Sequence, residues 1–253
     1  MKKIVLAFVL SILLISSVSA AENLVDKNAE WWSDATPEII EKMIEQGANI
    51  NEKDKIGWTP LMLAVYYNQT PSVIKRILNY GVDVNAKNET GGTALILCGQ
   101  LCHVKELVDI LVKQGADVNA RTNGGWTALI SAARFNTRSD IINVLIAKGA
   151  DVNIHDEDGI TALMWATKNA NPEVVETLIK HGADVNAHDK NGVTALMWAA
   201  KNATSEVVET LIKHGADVKI KDEFGKTALD YAKENPKIYK TDVYWRLNDL
   251  IYK

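Results

Sequence analysis

Apolar positions in this chain recur in paired blocks. In Thr194-Ala195-Leu196-Met197-Trp198-Ala199-Ala200-Lys201 a threonine opens a short apolar run, and a threonine hydroxyl accepts a backbone N–H of a first helical turn, so the run predicts a helix starting there. A short loop follows, then a second segment from Glu206 to His214. Its apolar residues Val207, Val208, Leu211 and Ile212 fall at i, i+1, i+4 and i+5, one face of a second helix. Glycines at 47, 81, 115, 149, 182 and 215 hold one register behind such segments and predict left-handed helix ends. A turn of the form Ala/Val-Asp/Asn-Val/Ile-Asn/Lys and a polar tip then lead to the next threonine.

The block returns with a fixed period. Gly57-Trp58-Thr59-Pro60-Leu61, Gly91-Gly92-Thr93-Ala94-Leu95, Gly125-Trp126-Thr127-Ala128-Leu129, Gly159-Ile160-Thr161-Ala162-Leu163, Gly192-Val193-Thr194-Ala195-Leu196 and Gly225-Lys226-Thr227-Ala228-Leu229 place their threonines 34, 34, 34, 33 and 33 residues apart. Such a period predicts a solenoid, each unit covering the apolar face that its neighbour cannot bury alone. The fold expected is all-α, one domain over residues 21–253 in seven units: a partial first unit at about 24–56, full units at 57–90, 91–124, 125–158, 159–191 and 192–224, and a capping unit at 225–253. In the first unit a degenerate helix is expected near Asp26 to Ser33, carrying Trp31 and Trp32, followed by one opened by Thr36-Pro37-Glu38. In the last unit Val243, Tyr244, Leu247, Leu250 and Ile251 mark the buried side of a final amphipathic helix.

The period, the Thr-Pro-Leu or Thr-Ala-Leu opening and the Gly-Ala-Asp-Val-Asn-Ala closing at Gly115 to Ala120 and Gly182 to Ala187 resemble the ankyrin repeat. The resemblance covers about residues 24–253 and implies two antiparallel helices and a projecting hairpin loop per unit. The sequence departs from the family pattern twice. The histidine usual after Thr-Pro-Leu is Met62, Ile96, Ile130, Met164, Met197 and Asp230, so the threonine–histidine hydrogen bond of that family is missing. The usual Gly-His between the helices is Asn68-Gln69, Cys102-His103, Asn136-Thr137, Ala170-Asn171 and Ala203-Thr204; Asn tolerates a left-handed conformation and Ala does so only at a cost, so these loops are expected to differ in conformation.

The N-terminus carries a second signal. Met1-Lys2-Lys3, an apolar run from Ile4 to Ile15 and the small residues Ser16 to Ala21 have the order of a secretory signal peptide cut after Ala20. The run is short for a membrane span, which needs about 20 residues, and no cysteine stands near the cut to take a lipid. Removing residues 1–20 takes two lysines and moves the formal charge from −4 to −6, that is, 26 basic against 32 acidic residues. This mild acidity argues against a nucleic-acid binder, which shows a basic stripe. No membrane span is expected after cleavage, and the product is expected to be periplasmic or extracellular and a monomer.

Register also accounts for most candidate chemistry. His181 and His214 stand just before helix-ending glycines, and His155 and His188 share a hairpin-tip position. Equivalent residues of adjacent units lie about 8–10 Å apart, too far for like residues to converge on a zinc ion, so neither metal nor cofactor is expected. Lys53, Lys87, Arg121, His155, His188 and Lys221 all lie six residues before a threonine and read as a solvated edge in preference to an anion track. Cys98 and Cys102 are the only cysteines. Their i, i+4 spacing is compatible with a disulfide, and the alternative is a packed Cys98 thiol beside an exposed Cys102 thiol. No catalytic constellation is found, and the chain is not expected to be an enzyme.

Proteins of this kind typically bind other proteins through hairpin tips and the concave first-helix face, at positions four, three and one before the threonine and seven and eight after it. Those positions hold Ile56, Trp58, Tyr66 and Tyr67 in the second unit, Leu101 in the third, and Trp126, Arg134 and Phe135 in the fourth. Trp, Tyr and Arg are enriched in binding hot spots, so these eight residues are the expected partner-binding set. The competing reading packs Trp58 and Trp126 against neighbouring hairpins and Tyr66 against the next helix. Trp165 and Trp198, each four after its threonine, are expected to stack along the inner helices and rank below that set. The function expected is a non-catalytic scaffold for an unidentified protein partner in the cell envelope or outside the cell. Two alternatives are a secreted effector or toxin-neutralising factor using the same face, and a thiol-dependent oxidative-stress role of Cys98 and Cys102.

Overall fold

The structure, a computed structural model, describes residues 23–135 and 138–252. The leader expected at residues 1–20 and the loop residues Asn136 and Thr137 lie outside the described residues. A short 3-10 turn, Leu24–Asp26, precedes fourteen helices: α1 Ala29–Asp34, α2 Pro37–Glu45, α3 Pro60–Tyr67, α4 Pro71–Leu78, α5 Ala94–Leu101, α6 Glu106–Lys113, α7 Ala128–Phe135, α8 Ser139–Ala147, α9 Ala162–Lys168, α10 Pro172–Lys180, α11 Ala195–Asn202, α12 Ser205–Lys213, α13 Ala228–Ala232 and α14 Asp242–Tyr252. Odd-numbered helices stack on one another as an inner row and even-numbered helices as an outer row. The fold is an all-α repeat solenoid. Among the described residues the only β pairing is two isolated bridges, His155 with Thr161 and His188 with Thr194, at hairpin bases.

The two rows obey different burial rules. From Pro60 to Val65 every residue of α3 is buried, as is Ala94 to Gly99 of α5, because an inner helix is covered by neighbouring inner helices and by its own outer helix. A helix that is apolar all round is therefore required there. Outer helices bury one stripe only: Val174, Val175 and Leu178 in α10, and Val207, Val208 and Leu211 in α12. Two inner helices approach closely at Gly99, where an added Cβ would run into the Ala128 carbonyl oxygen.

Threonines begin the inner helices as their hydroxyls require. Thr59, Thr93, Thr161 and Thr194 each accept the backbone N–H three residues on at 3.3 Å, and Thr127 does so at 3.2 Å. At the last cap Asp230 stands in the histidine position, and its carboxylate accepts from both the Thr227 hydroxyl (2.9 Å) and the Thr227 backbone N–H (3.0 Å). In this unit an acid therefore bonds the threonine where the family pattern places a histidine. The glycines of the pentapeptides have their own reason, which the periodicity alone does not reveal. Gly159 sits at φ +82°, and a Cβ on it would lie 3.0 Å from the Asp189 Cα of the next hairpin, so left-handed backbone and close approach both demand glycine.

Hairpins are tied by a ladder of asparagines. Asn119 donates to the Gly149 carbonyl (3.0 Å) and accepts from the Asp151 N–H (2.9 Å), and Asn85, Asn153 and Asn186 repeat both bonds in their own units. Inter-helix loops do differ. Ala170 takes the left-handed conformation at φ +52°, whereas Ala203 is extended and lends its carbonyl to Asn235 of the following unit. In the second unit the left-handed residue is Gln69 (φ +54°) and Asn68 is right-handed, the reverse of the propensity argument. Asn68 is held instead by donating to the Trp32 and Ala35 carbonyls.

Both ends differ in detail from expectation. The first helix begins at Ala29, capped by the Asn28 side chain, with Trp32 fully buried. The final helix buries Val243, Tyr244 and Leu247, but Leu250, expected on the buried side, is exposed.

Candidate functional site

The eight residues singled out fall into two groups on the inner side. At the first, Ile56 is 53% exposed at a hairpin tip, and Tyr66 and Tyr67 at the end of α3 are each 40% exposed. Trp58 is half-buried against the core and stands edge-on to Tyr66 at 5.3 Å, while Tyr66 stands edge-on to Tyr67 at 4.7 Å. The Trp58 ring therefore packs in part against the core and adjoins the exposed Tyr66. Its hairpin is fixed by Asp54, whose carboxylate accepts from the N–H groups of Ile56 (2.9 Å) and Trp58 (2.7 Å). Leu101 is half-buried, and its carbonyl accepts from the Gln69 side chain at 3.1 Å, which links the two loops.

In the fourth unit Phe135 is 49% exposed and Trp126 half-buried, with ring centroids 5.9 Å apart. The Arg134 guanidinium lies over Trp126 (4.7 Å), Phe135 (4.8 Å) and Trp165 (4.0 Å). The stack then continues from Trp126 to Trp165 (5.5 Å) and from Trp165 to Trp198 (5.9 Å). Trp165 is buried, so its ring is part of the scaffold and its face is occupied by cations.

The shared register of these tryptophans does not disclose that the stack alternates with charge. Lys168 lies over Trp165 (4.7 Å) and Trp198 (5.1 Å), and Lys201 and Lys226 lie over Tyr231 at 5.5 and 5.3 Å. The signal was present. A residue seven after one threonine meets a residue four after the next, so Arg134 with Trp165 and Lys168 with Trp198 are each three residues short of a full period. At the end of the row the Tyr231 hydroxyl donates to Asp222 at 2.5 Å. Burial, then that hydrogen bond, raise the Tyr231 hydroxyl to about 12. Burial alone would raise the Asp222 carboxyl, but donors from Tyr231, Lys226 and Phe224 outweigh it and hold the group below its ordinary value.

Lys53, Lys87 and Arg121 are exposed, as a solvated edge requires, and each also finds a carbonyl on the next hairpin. Lys53 donates to the Lys87 carbonyl (3.0 Å), Lys87 to that of Arg121 (3.3 Å) and Arg121 to that of His155 (2.8 Å), so each stitches its hairpin to the next. His214 meets Glu176 of the preceding outer helix at 3.1 Å. Cys98 and Cys102 are joined in a disulfide with Cα atoms 4.7 Å apart, and both residues are buried. Cys102 is therefore not the exposed loop thiol of the alternative reading: the loop turns it inward, and beside it the His103 N–H donates to the Gln69 side chain across units.

Among the described residues no group of three or more His, Cys, Asp or Glu side chains converges as a metal site would. No described helix is long and apolar enough to cross a membrane. The arrangement is a row of aromatic and cationic side chains along the inner helices. A family model described as ankyrin repeats (3 copies) matches residues 29–122, 73–156, 101–189 and 163–241. Among curated proteins nothing matches the chain.

Proposed function

Because the chain belongs to the ankyrin-repeat family, whose members generally serve as protein–protein interaction modules and are typically non-catalytic, we propose that it is an exported scaffold. It holds a protein partner on its hairpin tips and concave inner face. The observation that carries this reading is the run of Ile56, Trp58, Tyr66 and Tyr67. Two adjacent tyrosines at 40% exposure close a helix whose preceding residues are all buried, and burial of the scaffold itself supplies no reason for them. Rigid aromatics on a fixed frame bind at low entropic cost.

Export is supported by the order of residues 1–21 and agrees with the Cys98–Cys102 bridge, since disulfides persist in oxidising compartments. The leader suits a bacterial envelope, and the mature chain acts as a monomer. Two measurements test the reading. Replacing Trp58→Ala with Tyr67→Ala abolishes capture of the partner from envelope extract while the helical circular dichroism persists; equal recovery by both proteins removes the patch. N-terminal sequencing of protein recovered outside the cytoplasm reads Ala21 first, and a start at Met1 removes the cleavage.

A further inference from the structure

Arg134, Lys168 and Lys201 occupy one register, seven residues after Thr127, Thr161 and Thr194, on three consecutive inner helices. Stacked helices set their spacing at about 8–10 Å. Each cation rests on an aromatic ring: Arg134 on Trp165 at 4.0 Å, Lys168 on Trp165 and Trp198 at 4.7 and 5.1 Å, Lys201 on Tyr231 at 5.5 Å. The rings hold the charges in place without neutralising them. None of the three has a carboxylate within ion-pair distance among the described residues. On the outer row, by contrast, Lys75, Arg76, Lys148, His214 and Arg246 each meet an acid of a neighbouring unit. Across the fifth, sixth and last units this row opens on a cleft of ≈ 340 Å³, lined by Lys168, Trp198, Lys201, Tyr231 and Asp189.

We propose that this row receives an extended partner segment in polyproline-II conformation that bears a carboxylate at every third residue. Arg134, Lys168 and Lys201 each take one carboxylate. The proposal rests on the scaffold reading above and names the chemistry of what the scaffold holds. Spacing selects the conformation. Polyproline II makes one turn in three residues at about 3.1 Å each, so residues i and i+3 point the same way about 9 Å apart, matching the row. A β-strand would send i and i+3 to opposite faces. A single-stranded nucleic acid fits less well: Trp165 is buried beneath cations and offers no open face on which a base could stack.

Fluorescence anisotropy with purified protein tests this. The probe is a labelled peptide of four Glu-Pro-Pro triplets. Its comparators are Lys-Pro-Pro triplets, a shuffled peptide with the glutamates contiguous, and an oligothymidylate of equal charge. The expected result is saturable binding of the Glu-Pro-Pro peptide that weakens as salt is raised to about 0.15 M, and weaker binding of all three comparators. The variant combining Arg134→Gln, Lys168→Gln and Lys201→Gln loses about tenfold or more in affinity, while Lys168→Arg retains it. Should the triple variant fail to fold, the single changes Lys168→Gln and Lys201→Gln, both at exposed side chains, are each expected to weaken binding about threefold. The proposal is overturned by absence of saturable binding, by shuffled peptide or oligothymidylate binding as tightly, or by glutamine variants that bind as the parent does. The scaffold reading fails separately, through capture that survives removal of Trp58 and Tyr67.

Discussion

The two faces of the solenoid handle charge in opposite ways. On the outer row neighbouring units meet through Lys75–Glu106 (2.9 Å), Arg76–Glu41 (3.5 Å), Lys148–Asp109 (2.6 Å), His214–Glu176 (3.1 Å) and Arg246–Glu209 (3.3 Å). On the inner row Arg134, Lys168 and Lys201 sit on indole and phenol rings, and Tyr66, Tyr67 and Phe135 stand in solvent. An exposed pair of opposite charges that finds its partner within the chain contributes little stability and leaves little to offer another molecule. A cation fixed on a ring, with no acid beside it, keeps its charge available. The contrast teaches that the outer row meets its charges with acids of neighbouring units, while the inner row holds these three cations on rings and leaves them without such acids, as the proposed binding surface requires.

The largest effect is expected where the inner row is packing. Trp165→Ala removes a buried ring that touches Trp126, Trp198, Arg134 and Lys168, and urea denaturation should report a destabilisation of about 3–5 kcal/mol. A change below about 1 kcal/mol would mean that the ring belongs to the binding surface and not to the frame.

At the C-terminal end of the same row the comparison sharpens with pH. The Tyr231 proton is held more tightly in the folded protein, its pKa raised from 10.0 to about 12. The unfolded chain therefore ionises first, and the stability this group contributes is complete below pH 10 and lost as pH rises from 10 to 12. Melting temperature should fall through that interval, and Tyr231→Phe should remove this part of the fall. An equal fall in the variant would assign it to other groups.

The smallest effect is expected on the outer row. Arg246→Ala breaks the ion pair with Glu209, in which both side chains are about half exposed, and denaturation should shift by about 1 kcal/mol or less. Partner capture should be unchanged. A variant that keeps its stability but no longer captures its partner would place binding on the wrong face.

The frame was readable from sequence because each unit carries its own punctuation. A threonine cap, an apolar run and a left-handed glycine are local devices that act within a few residues, so Thr194 and Gly215 bound a helix pair whatever surrounds them. The inner row was less readable because its contacts run between units. Ranking Trp165 and Trp198 below Trp58 followed from their shared register, which does place them in a stack. The cations between them become visible only when a residue is compared with one 30 or 31 positions on, the pairs Lys168–Trp198 and Arg134–Trp165. Loops were the least readable part. Gln69 and Ala170 take the left-handed conformation against their own preferences, while Asn68, which tolerates it, stays right-handed and is held by hydrogen bonds to the preceding unit.

The central claim is that a protein partner lies against the inner face and not the outer. A photo-crosslinking amino acid placed in turn at Tyr67 and at Lys75 reads this directly, because the two positions stand on the inner and outer helices of one unit. Irradiation with partner present should yield a crosslinked band from position 67 and none from position 75. A crosslink from position 75 alone would contradict the account.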